Sequence, residues 1–142
     1  MAVVQLASSN RHDYPMRVYW AMTSAEIEQL LAATPLEVSQ RVGTAVTQGF
    51  IETVETTEQE ELDLLAAFSA IDSHPDSLVV GVLEVEAEIT DDQFGDVAFS
   101  GSFVLEDFDC LLLADVDSQE LSWFGIQEAD ALQGALANMR KK

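Results

Sequence analysis

Positive charge is what this chain has least of. Six Lys and Arg stand against 26 Asp and Glu in 142 residues. The six are Arg11, Arg17, Arg41, Arg140, Lys141 and Lys142, so Val42 to Met139 holds none while carrying 22 carboxylates. Partners for those carboxylates must come from the chain ends, from backbone N–H groups, from bound cations or from another molecule. Such a field repels phosphate backbones and anionic lipid, which argues against direct binding of nucleic acid or membrane, and it attracts cations and basic proteins. Cysteine occurs once, at Cys110, so no internal disulfide can form. Its place in the apolar run CLLLADV suggests a buried thiol, compatible with a reducing cytoplasm. No run approaches the roughly 18 to 20 apolar residues of a membrane-spanning helix, and the start lacks a basic segment followed by an apolar one. The expectation is a protein that is neither exported nor membrane-bound, located in the cytoplasm.

What is present is a good supply of apolar residues, 48% of the chain, enough for one domain with a real core. The most telling stretch is Leu78 to Ile89, LVVGVLEVEAEI. It begins as a continuous apolar run and then alternates, with Leu83, Val85, Ala87 and Ile89 on one face and Glu84, Glu86 and Glu88 on the other. This predicts a central strand, covered on both faces early and wet on one face later. Before it, Met16 to Met22 reads as a strand, and Thr23 with Glu26 has the spacing of a capping box that opens a helix stopped at Thr34-Pro35. Leu36 to Gly43 reads as a connection, Thr44 to Thr47 as a short strand and Gln48 to Val54 as a brief helix. A second capping box, Thr57 with Glu60, is expected to launch a longer helix to about Ser73. Strands are then expected over Val97–Leu105, Cys110–Val116 and Leu121–Ile126, and a helix over Ala129–Met139. Residues 1–15 look like an N-terminal extension, and 16–142 like a single α+β domain. Its sheet would be mainly antiparallel, of four to six strands, with helices packed on one face.

Three stretches in order, MRVY at Met16 to Tyr19, EQEELDLLAAFSA at Glu58 to Ala70 and LSWFGIQEADAL at Leu121 to Leu132, resemble a family of small acidic actinobacterial proteins of unknown function. The resemblance covers roughly Met16 to Leu132. The run between Asp117 and Leu121 is shorter than in that family, and the family brings no catalytic residues with it.

Chemistry-bearing motifs are sparse. A nucleophile needs a base within hydrogen-bond reach, and the only histidines are His12 and His74, so a Cys110–His74 pair is the one arrangement to consider. Catalytic residues are therefore unknown. Phosphate-cradling glycine loops and clustered Cys and His are absent, so no cofactor is expected. The exception is a calcium or magnesium ion, for which Glu84, Glu86, Asp91, Asp92 and Asp96 are the candidate ligands. Trp123 and Phe124, adjacent in a strand, should point to opposite faces, leaving one partly exposed near Gln127 and Glu128. The leading reading is a non-enzymatic interaction module docking a basic partner, with Glu84, Glu86, Glu88, Trp123, Gln127 and Glu128 as its footprint. The alternative is a small divalent-cation-binding protein or enzyme using the clustered carboxylates.

Crowded like charges predict a simple response to salt. At neutral pH the melting temperature should rise with added sodium chloride, because screening relieves the repulsion. A fall would show that the carboxylates are not the dominant charge term.

Overall fold

The computed structural model describes residues 13–73, 77–115, 118 and 120–140. The expected extension up to residue 12, with Arg11 and His12, lies outside them, as do His74, Lys141 and Lys142. The chain forms β1 (Asp13–Met22), α1 (Ser24–Leu31), β2 (Leu36–Ala45), α2 (Gln48–Val54) and α3 (Gln59–Ser73). It continues with β3 (Val79–Asp91), β4 (Asp96–Phe103), β5 (Phe108–Asp115), β6 (Glu120–Phe124) and α4 (Ala129–Arg140). The fold is α+β, a single domain around one antiparallel six-stranded sheet, as its sequence pattern implies.

The predicted central strand is the hub. On one edge β3 pairs with β1 over ten residues, from Val79 opposite Met22 to Glu88 opposite Asp13. On the other edge it is shared: Val79 to Leu83 pair with β5, and Glu88 to Asp91 pair with β4. Because β4 also pairs with β2, and β2 touches β1 at Ala45–Val18 and Thr44–Tyr19, β1, β2, β4 and β3 close into a small barrel. Strands β5 and β6 extend the sheet outside it.

Alternation along β1 sends side chains to two separate cores. Val18, Trp20 and Met22 join Phe99, Phe103, Phe108, Leu111 and Leu113, closed by Ile27 and Leu30 of α1 and Leu132 and Leu136 of α4. Trp20 lies at its centre, edge-on to Phe99 and Phe103 at 5.3 and 5.8 Å, geometries that aromatic quadrupoles favour. Tyr19 and Ala21 point the other way, onto Val80, Val82, Cys110 and Leu112, beneath Leu62, Ala66, Ala67, Ala70 and Ile71 of α3. The long helix thus packs on one face while α1 and α4 occupy the opposite one, so helices cover both faces rather than the one expected, because β1 is apolar on both of its sides.

The helix starts differ from each other for a local reason. At α1 the capping box forms in full: Thr23 Oγ1 accepts from the Glu26 N–H at 3.1 Å and Glu26 Oε1 accepts from the Thr23 N–H at 3.0 Å. Glu26 Oε1 also receives Arg41 at 3.0 Å. At α3 the carbonyl of Glu58 accepts the first intrahelical bond, from Leu62, and the Thr56 hydroxyl takes the Glu58 N–H. The start therefore lies one to two residues beyond the Thr57 expected from spacing.

Two other expectations are corrected. Strand β1 begins at Asp13 rather than Met16, because Asp13 to Pro15 continue the pairing with β3. The segment Leu36 to Gly43, expected as a connection, is most of β2. Its alternation is hidden by a bulge: Val38 opposes Gly101 but Arg41 opposes Phe99, and Gln40 at the extra position has φ 52° with its N–H donated to Ser100 Oγ. One inserted residue reverses the phase of the pattern.

The turn from β3 to β4 fixes a glycine. Gly95 has φ +73°, and a Cβ there would stand 2.3 Å from the Ala45 carbonyl oxygen, whose strand it meets through the Ala45 N–H bond to the Gly95 carbonyl. Gly95→Ala should destabilise the protein by about 1–3 kcal/mol from backbone strain, with the clash adding to it. Urea unfolding checks this, and a loss under about 0.5 kcal/mol would show that the turn relaxes freely.

Candidate functional site

The side chains that can do chemistry gather where the first turns of α3 stand over the sheet. Ala66, Ala67 and Ala70 carry nothing beyond Cβ and pack into the core over β1 and β3. The first turns hold longer side chains and leave a cleft of about 570 Å³. Its floor is Arg17 and Tyr19 of β1, Cys110 and Leu112 of β5, and Leu121 and Trp123 of β6; Glu58, Glu60, Glu61, Asp63 and Leu64 form the roof. A second cavity, of about 470 Å³, lies on the other side of Tyr19 and Asp63. It is lined mainly by Met16, Ala45, Val46, Ile51, Leu62 and Ile89, with Arg17, Tyr19 and Asp63 shared between the two.

A chain of hydrogen bonds separates them. The Tyr19 hydroxyl donates to Asp63 Oδ1, which also accepts from Gln59 Nε2 at 2.9 Å. Arg17 Nε donates to the Tyr19 hydroxyl at 3.3 Å, and its Nη1 meets Asp109 Oδ2 at 3.0 Å. Asp109 reaches Arg17 because of a second bulge: Val82 opposes Cys110 and Leu83 opposes Phe108, so Asp109 is the unpaired residue between them. With 46% and 56% of the side chains exposed, the Arg17–Asp109 pair contributes at most about 1 kcal/mol. Its role is to orient the guanidinium.

These contacts set proton affinities. Tyr19 is pushed up to about 12, first by burial and then by its hydrogen bond to Asp63, with Arg17 opposing. The Cys110 thiol is raised by burial, against the pull of Arg17 and of a hydrogen bond from Trp123. Burial lowers the Arg17 proton affinity, but its bond to Tyr19 and the nearby acids raise it overall, so it stays charged. A protonated thiol is a poor nucleophile, and His74, its sequence-proposed base, lies outside the described residues.

The sequence-proposed residues divide. Trp123 lines the cleft and is 60% exposed, while Phe124 packs against the opposite core, as adjacent strand positions require. Glu84, Glu86 and Glu88 are exposed on β3, continuing the face of Val80 and Val82, and Glu84 stands directly across from Arg17. Gln127 and Glu128 sit on a short 3-10 turn that does not line the cleft, and Glu128 Oε1 closes that turn by accepting the Gly125 N–H. Asp92 is used structurally: its carboxylate accepts the Gly49 N–H at 3.2 Å and its carbonyl the Thr47 hydroxyl at 2.6 Å, joining the hairpin to α2. Asp91 and Asp96 face each other across the β3–β4 turn, and Asp96 is raised first by burial and then by Asp91. Among the described residues no group of three or more His, Cys, Asp or Glu is placed to hold a metal ion. Sequence reading missed Arg17, Tyr19 and Asp63, whose only signal was one cation among acids.

The fold and site define an α+β domain with a part-barrel sheet and an acidic cleft under a helix start. Comparison with protein-family models, curated proteins and solved structures finds no match to the chain. No helix among the described residues is long and apolar enough to cross a membrane.

Tyr19 gives the site a pH signature. Its folded proton affinity lies above the ordinary value of 10.0, so its stabilising contribution is complete below about pH 10 and is lost as pH climbs towards about 12. Absorbance titration at 295 nm should find a tyrosine ionising late, and Asp63→Asn should bring it down. A Tyr19→Phe protein that keeps the same late ionisation would assign it elsewhere.

Proposed function

We propose that this protein is a non-enzymatic binding module that docks a basic partner, seating a lysine or arginine side chain in the cleft beneath α3. The observation that carries this reading is the lining of the cleft. Four carboxylates, Glu58, Glu60, Glu61 and Asp63, face an exposed indole, Trp123, with only Arg17 as counter-charge, itself engaged with Asp109 and Tyr19. A cation placed there meets anions on one side and an aromatic face on the other, an arrangement that favours a desolvated amine or guanidinium. The acids of the first turn also suit the positive end of the helix dipole. That explains their tolerance at the helix start; it does not explain an exposed tryptophan opposite them.

Glu84, Glu86 and Glu88 extend the same negative surface along β3 and supply a longer-range field that steers a basic partner towards the cleft. Among the described residues the ion pairs are Arg17–Asp109 and Arg41–Glu26. Most of the acidic surface is therefore left for an external partner. The same field disfavours nucleic acid and anionic lipid, and a buried free thiol suits a reducing cytoplasm.

The two tryptophans make the test direct. Trp20 is fully buried and Trp123 is exposed, so red-edge fluorescence reports on the cleft. A lysine-and-alanine peptide added at low ionic strength should shift that emission with saturable binding, weakened about tenfold or more in 0.5 M salt, and calorimetry should find binding about fivefold or more weaker in Trp123→Ala. Unchanged affinity in Trp123→Ala would remove the cleft from the footprint.

A further inference from the structure

The second cavity deepens this reading, on which it depends. We infer that the partner presents an aliphatic side chain next to its basic residue, and that this side chain enters the chamber between β1, α2 and α3 while the basic group lies against Trp123. The chamber is of a different character from the cleft. Its walls are Met16, Ala45, Val46, Ile51, Leu62 and Ile89, and its volume, about 470 Å³, is ample for a leucine, isoleucine or methionine side chain. Its polar groups are Arg17, Tyr19 and Asp63, shared with the cleft, together with Gln59, which is bonded to Asp63, and Thr47 on the far wall.

That shared end points to a single occupant for both spaces. Asp63 Oδ1 is taken by Tyr19 and Gln59, which leaves Oδ2 as an acceptor at the junction. The Tyr19 hydroxyl is already donated to Asp63, and Thr47, on the far wall, is committed to Asp92 and the Phe50 N–H. What the junction offers a visitor is therefore an acceptor carrying negative charge, flanked by the guanidinium of Arg17. A partner N–H from backbone or side chain satisfies it, and the residues on either side of that N–H then reach one space each. A purely basic segment would leave the chamber without an apolar occupant, and a purely apolar one would leave the four carboxylates of the cleft without a cation. Charge complementarity on one side of Tyr19 and apolar complementarity on the other therefore select a mixed motif, a lysine or arginine adjacent to a leucine, isoleucine or methionine.

Three short peptides titrated into the full-length protein, read by calorimetry, test this. They are a lysine-and-alanine peptide, the same peptide with one alanine beside a lysine replaced by leucine, and an isomer with that leucine moved to the far end. The adjacent leucine should tighten binding about tenfold over alanine, as burial of such a side chain predicts, and the moved leucine should not. Ile51→Trp, which fills the chamber from a partly exposed wall position, should abolish the gain while leaving the alanine peptide unchanged. Equal affinity for the alanine and leucine peptides overturns the inference while the cationic reading stands. Binding by none of the three overturns both. A gain that survives Ile51→Trp, or hexylamine binding as tightly as the leucine peptide, also overturns it, the first by placing the leucine elsewhere and the second by making the ligand a small amphiphilic amine.

Discussion

Burial of Val18 to Met22 on both faces is the constraint from which the rest of this structure follows. All five residues are at most 1% exposed, so β1 must be covered twice, by two groups of helices, and must be paired along its length. Pairing comes from β3, and cover comes from α1 and α4 on the Trp20 side and from α2 and α3 on the Tyr19 side. A strand in that position cannot shift by one residue without exchanging the contents of the two cores. The register is thereby fixed, and with it the position at which β1 leaves the core and becomes Arg17.

The cleft is a by-product of that geometry. Tyr19 has its ring in the second core and its hydroxyl at the core boundary, where it meets Asp63 from the helix above and Arg17 from two residues earlier on the same strand. A phenol is well suited to such a border, since its ring gains from burial while its hydroxyl keeps its partners. The helix packs its alanines into the second core and lines the cleft with Glu60, Glu61, Asp63 and Leu64 of its first turns. The place of the cleft is therefore written in the side chains along a single helix.

Much of this could be read from the chain alone, and what could not has a physical cause. The run from Leu78 to Ile89 identifies β3 because its change from continuous to alternating apolarity matches its change from double to single cover. Thr23 and Glu26 mark α1 because a capping box is a local device, complete within four residues. Strand β2 escaped because Gln40 adds one residue and inverts the pattern on either side of it, so no single periodicity spans Leu36 to Ala45. The carboxylates of β3 were legible as an exposed row. Their sequence neighbours Asp91, Asp92 and Asp96 suggested a converging set, but the hairpin turns them to different tasks, with Asp92 bound to the start of α2. Trp123 was legible as a possible anchor from its alternation with Phe124. Arg17, Tyr19 and Asp63 were not, because Asp63 lies 44 residues from Tyr19 on a different element and only tertiary packing brings it to the β1 pair.

The bulge at Asp109 has a consequence for how this surface can vary. A residue outside the pairing ladder belongs to neither alternation, so its side chain is not required by either core and its identity is free of the packing rules that bind Phe108 and Cys110 on each side. Reversing or removing the charge there alters the orientation of the guanidinium at the mouth of the cleft while the hydrophobic interior stays as it is. The charge pattern of the cleft mouth could thus drift through a single codon, decoupled from foldability.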